Sequence, residues 1–81
     1  MQAPARELER LRWRSRRGLL ELDLVLQRFW AGSGREMGEA EARALARLLA
    51  MPDNDLLDLV MGRADCADPA TGPILQRLKA A

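Results

Sequence analysis

Apolar residues recur along this chain at intervals of three and four and nowhere alternate, so the whole sequence reads as helix. Leu8, Leu11 and Ser15 fall on one face of a first helix over about residues 5–16, with Arg6, Arg10, Arg14 and Arg17 on another. Gly18 breaks that pattern. A second helix follows, with Leu19, Leu22, Val25, Leu26, Phe29 and Trp30 as its apolar stripe, and Gly32-Ser33-Gly34 ends it as a flexible turn. A third helix is expected from near Gly38 to about Ala50, with Leu45, Leu48 and Leu49 facing the core. Glu39 and Glu41 suit its positive N-terminal end. Pro52-Asp53 stops it, and Asp53 is placed to cap a fourth helix carrying Leu56, Leu57, Val60 and Met61, which Gly62 closes. After a turn around residues 65–69, Asp68 or Thr71 caps a short fifth helix holding Ile74, Leu75 and Leu78. The expected architecture is all-α, a compact five-helix bundle forming a single domain over residues 1–81, with residues 1–4 disordered.

Length limits what such a bundle can do. A chain of 81 residues buries only about 60% of its unfolded surface, which allows one small core and no large substrate cavity. Histidine is absent and Cys66 is the single cysteine. That removes the commonest general base, the commonest metal ligand, any Cys/His zinc set and any internal disulfide. An enzyme is therefore not expected. The lone cysteine and the lack of a signal core or membrane-length apolar run lead to the expectation of a cytoplasmic protein with no membrane insertion.

Charge is placed unevenly. Residues 1–18 carry six Arg against two Glu, a net of +4, and the remainder carries seven basic against ten acidic residues, a net of −3. A basic helix on a mildly acidic body points to a directed protein contact more than to a nucleic-acid surface. The arginine face can be simply solvated, or it can dock a partner or RNA. Trp13 sits among these arginines. A core position is its ordinary fate, and anchoring a protein contact or stacking on a base is the alternative.

The junction Arg16-Arg17-Gly18-Leu19-Leu20-Glu21-Leu22-Asp23 offers two readings. In the first, Gly18 serves a helix end and Glu21 reaches back to a free helix N–H. In the second, Gly18 lets another backbone approach closely while Arg17 and Glu21 project toward a partner. Glu21 and Asp23 are two residues apart and point to different sides of a helix, so they form no catalytic dyad. Asp53, Asp55 and Asp58 lack the glycine and distal Glu of a calcium loop, and helix capping accounts for them better. Cys66 has no basic neighbour to activate it.

The set Trp13…Arg16-Arg17-Gly18-x-x-Glu21-Leu22-Asp23 resembles the signature of the SdhE (YgfY/CptB) family of flavin assembly factors, with RGxxE as its specific core. Phe29 fits the family's aromatic at the end of the second helix, and Leu48-Leu49 with Asp53-x-Asp55-Leu56 resembles its second block. The chain departs from the family at Leu59, where an aromatic is common, and at Gly72-Pro73, which interrupts a usually more regular fifth helix. The resemblance implies a five-helix fold and a role in covalent FAD attachment to the flavoprotein subunit of succinate dehydrogenase, with related fumarate reductase subunits as further clients. It implies that the client forms its own histidyl–FAD bond, so no cofactor is expected to be tightly bound here. The expected partner-binding residues are Trp13, Arg16, Arg17, Gly18, Glu21 and Asp23, in a monomer with no nucleic-acid partner. An antitoxin-like regulator of a membrane-associated partner and a small RNA-binding module using Arg10, Trp13 and Arg14 are the competing readings.

Overall fold

The threefold and fourfold spacing of apolar residues resolves into five α-helices among the described residues, which in this computed structural model are 2–32, 34–65 and 68–81. They are α1 (Ala5–Arg14), α2 (Leu20–Ala31), α3 (Glu39–Leu49), α4 (Asp53–Val60) and α5 (Gly72–Ala80). Single 3₁₀ turns lie at Gly34–Glu36 and Pro69–Thr71. The fold is all-α; the one extended pairing among the described residues is an isolated bridge between Gln2 and Gly38. No helix among them is long and apolar enough to cross a membrane. Cys66 lies outside the described residues, as does Ser33 of the expected turn.

The second helix supplies the largest fully buried side chains, those of Trp30 and Phe29. Leu22, Val25, Leu26, Phe29 and Trp30 are all buried, and the helix packs on α4 and α5 while α1 packs on α3. Phe29 and Trp30 meet edge to face with ring centroids 5.5 Å apart. A Cβ on Gly34 would stand 2.9 Å from both of those rings, so only glycine fits beneath them. Arg77 of α5 stacks 5.4 Å over Phe29 and donates to Glu41 of α3 at 2.6 Å, joining three helices through one side chain. That guanidinium holds the Glu41 carboxyl below its ordinary range; burial opposes the effect, and the Gly38 N–H adds to it at 3.4 Å.

Ahead of α1, Gln2 bridges to Gly38, and Ala3 is buried with its N–H donating to the Met37 carbonyl at 2.9 Å. Several expectations need correction. Met61 is half exposed just past the end of α4 instead of facing the core, because Gly62, at φ 76°, turns the chain away there. Asp53 is the first residue of α4, makes no side-chain cap bond, and spends its carboxylate on Arg17. Asp68, not Thr71, does the capping: its Oδ1 accepts from the Ala70 N–H at 3.0 Å and starts the turn that feeds α5. Gly72-Pro73 opens α5 instead of interrupting it, in the first turn, where proline's missing N–H is no loss. Leu59 stays buried and takes its place in the common core.

Candidate functional site

The first two helices are joined by five residues, and the chemistry of the expected site is concentrated there. The first helix stops at Arg14, two residues earlier than its periodicity implies, with Ser15 as its C-cap. Ser15 is fully buried, its Oγ donating to the Leu11 carbonyl at 2.8 Å and accepting from the Trp30 indole N–H at 2.8 Å. The hydroxyl thus satisfies the one polar atom of the largest core residue and pins the start of the link.

Arg17 is turned inward. Its side chain is only 13% exposed; one guanidinium nitrogen donates to the Leu49 carbonyl at 2.7 Å and the other to Asp53 Oδ1 at 3.2 Å. Its backbone N–H donates to Asp23 Oδ1 at 3.1 Å. The same oxygen lies 3.5 Å from the Gln27 amide nitrogen and 3.7 Å from Arg16 Nε. Asp23, not Glu21, is therefore the residue that reaches back over the start of α2. The capping role expected of Glu21 is absent: that side chain is exposed and has no polar partner among the described residues.

Around the link lies a surface the fold itself does not use. Trp13 is 73% exposed, which overturns a core position for it; Leu20 is 69% and Leu24 51% exposed. The Arg16 side chain is 66% exposed. Leu20, Leu24 and Gln27 share one face of α2 by their spacing of four and three. Gln27 also lines an open cleft of about 230 Å³ with Glu9, Arg12, Trp13 and Arg16, so the faces of α1 and α2 meet there. Gly18 sits in this surface without a positive φ, and a Cβ built on it would meet nothing within 4 Å. Nothing inside the molecule requires glycine at that position.

The structure thus groups Trp13, Arg16, Gly18 and Glu21 outward and assigns Arg17 and Asp23 to internal bonds. Leu20 and Leu24 escaped the sequence reading, although both fall off the core stripe of α2 while keeping a spacing of four. Among the described residues there is no cluster of three or more metal-ligating side chains.

Residues 9–81 match the protein family described as "Flavinator of succinate dehydrogenase". The chain belongs to this family. A relative from Xylella fastidiosa named FAD assembly factor SdhE is 36% identical over 80 residues, covering 99% of this chain and 81% of its own length. A protein of the same name from Methylococcus capsulatus is 39% identical over 71 residues, covering 88% and 86%. Another from Ralstonia nicotianae is 46% identical over 56 residues, or 69% of this chain and 59% of the relative. No solved structure gives a significant match. Members of the flavinator family are named for assembly, not for catalysis.

Proposed function

We propose that this protein binds the flavoprotein subunit of succinate dehydrogenase, and that of fumarate reductase as a second client, and promotes covalent attachment of FAD to it. It does so as a cytoplasmic monomer, holding the client rather than the flavin. One observation carries the reading: Gly18 is an exposed glycine that neither backbone angle nor internal packing demands. A residue without a side chain is needed there if another chain comes within van der Waals distance of the link. Trp13, Leu20 and Leu24 provide apolar area around it, of the type that anchors protein interfaces. Arg16 and Glu21 supply polar contacts at its edge. The chemistry stays with the client; this surface lowers its barrier by selecting the client conformation in which flavin and acceptor are aligned.

The reading is tested by mixing the apo flavoprotein subunit, FAD and this protein, then following flavin fluorescence that survives denaturation. Covalent flavin should accumulate faster with the protein present. Equal accumulation with and without it, or full flavinylation in a deletion strain, contradicts the proposal.

A further inference from the structure

Arg17 belongs to the same short link as Gly18 but does a different job, and its bonds say which. Through its backbone N–H it holds Asp23 in the first turn of α2; through its guanidinium it holds Leu49, the last residue of α3, and Asp53, the first of α4. One residue thus joins three helix ends. The Leu49 carbonyl is one of those that a helix C-terminus leaves without an intrahelical donor, so the contact also caps α3. Gly18 follows directly and has no side chain with which to anchor the link, while Ser15 fixes the link's other end through Trp30. Arg17 Nε is buried with no partner among the described residues, so the guanidinium is committed to this inward place at some cost.

We infer that Arg17 is a positioning residue that does not contact the flavoprotein: with Asp53 it forms a strut between the link and the α3–α4 corner, fixing the conformation in which Gly18 is presented. This rests on the docking reading above and changes the part that Arg17 has in it. The requirement is for a planar fork reaching a carbonyl and a carboxylate at once, which the single ammonium of lysine does not reproduce.

A double-mutant cycle on the full chain decides the matter, with two readouts: exchange of the Arg16 and Arg17 amide hydrogens in the isolated protein, and affinity for the apo flavoprotein subunit. Both amides are hydrogen bonded in the structure, to the Trp13 carbonyl and to Asp23. Arg17→Ala, Arg17→Lys and Asp53→Ala should each speed exchange and weaken binding by about tenfold, within the usual coupling range of contacting residues. The Arg17→Ala/Asp53→Ala double variant should be no worse than Arg17→Ala alone. Asp53→Asn, which keeps an accepting oxygen, should stay near wild type. If Arg17→Ala weakens binding by the same factor with Asp53 present or replaced, or weakens it with exchange unchanged, Arg17 touches the partner and the inference fails. Should Arg17→Ala not fold, Asp53→Ala carries the test, and unaltered exchange in it overturns the strut. Should the wild-type protein not bind the flavoprotein subunit at all, the docking reading fails while the exchange data still decide whether the strut exists.

Discussion

Gly18 and Gly34 show how differently one residue type is used within sixteen positions of sequence. Gly34 lies under Phe29 and Trp30, where a Cβ would collide with both rings; Gly18 faces open space. Alanine at Gly18 restricts the unfolded chain without straining the folded one, so Gly18→Ala should stabilise the protein by about 0.4–1 kcal/mol. That is a rise of a few degrees in Tm by calorimetry, and the same variant should bind its client more weakly. A stability gain paired with a functional loss is the signature of a surface kept for a partner. Ser15 is the opposite case. Ser15→Ala strands the buried Trp30 indole N–H and should cost about 1–3 kcal/mol, seen as a lower urea midpoint at unchanged slope. The sequence placed Ser15 on the right face but could not say that it serves Trp30, fifteen residues away. Trp13 misled for a related reason: its position among arginines is as compatible with a core as with a surface until α3 is seen to pack on the other side of α1.

At the scale of elements, the helices were legible because apolar spacing is a local property, and the joints were not because their bonds are long-range. The fork of Arg17 closes on groups 32 and 36 residues away, and nothing near Arg17 in the sequence names them. The N-terminal residues are similar: Gln2 and Ala3 pair with Gly38 and Met37, which no local rule connects to them. The tie between α3 and α5 carries a pH dependence. Arg77 holds the Glu41 carboxyl below its ordinary 4.5, the Gly38 N–H assisting and burial opposing. A carboxyl whose pKa is lower in the folded state adds stability above its unfolded pKa and loses it as pH falls through the folded one. Tm should therefore decline as pH drops below about 4.5, and Glu41→Gln should have a lower Tm at neutral pH and a shallower acid decline. An acid profile identical in the two proteins would show that this pair contributes nothing.

For the molecule as a whole, the basic part of the sequence includes part of its exposed apolar surface. Residues 1–18 carry the +4 balance and Trp13, while the remaining sequence carries −3 and holds Leu20 and Leu24. With Arg17 neutralised internally by Asp53, the cations that share a cleft with Trp13 are Arg12 and Arg16, while Arg6, Arg10 and Arg14 line a second cleft beside Ala46 of α3. A partner surface with acidic character fits these arginines, so association should slow as salt rises from about 0.05 to 0.5 M while dissociation changes less. Stopped-flow association at several ionic strengths checks that expectation. The family and the fold were both legible from residues 13–23 and the helical rhythm. The exposed glycine needed coordinates, since whether a glycine is demanded from inside or from outside is a matter of its surroundings.

Whether the Gly18 surface meets the flavoprotein subunit is tested most directly by Gly18→Arg. Covalent flavin on the client and the melting curve of the variant are measured together. The prediction is a variant that melts within a few degrees of wild type and leaves the client without accelerated flavinylation. A folded Gly18→Arg protein that still drives flavinylation at the wild-type rate would contradict it.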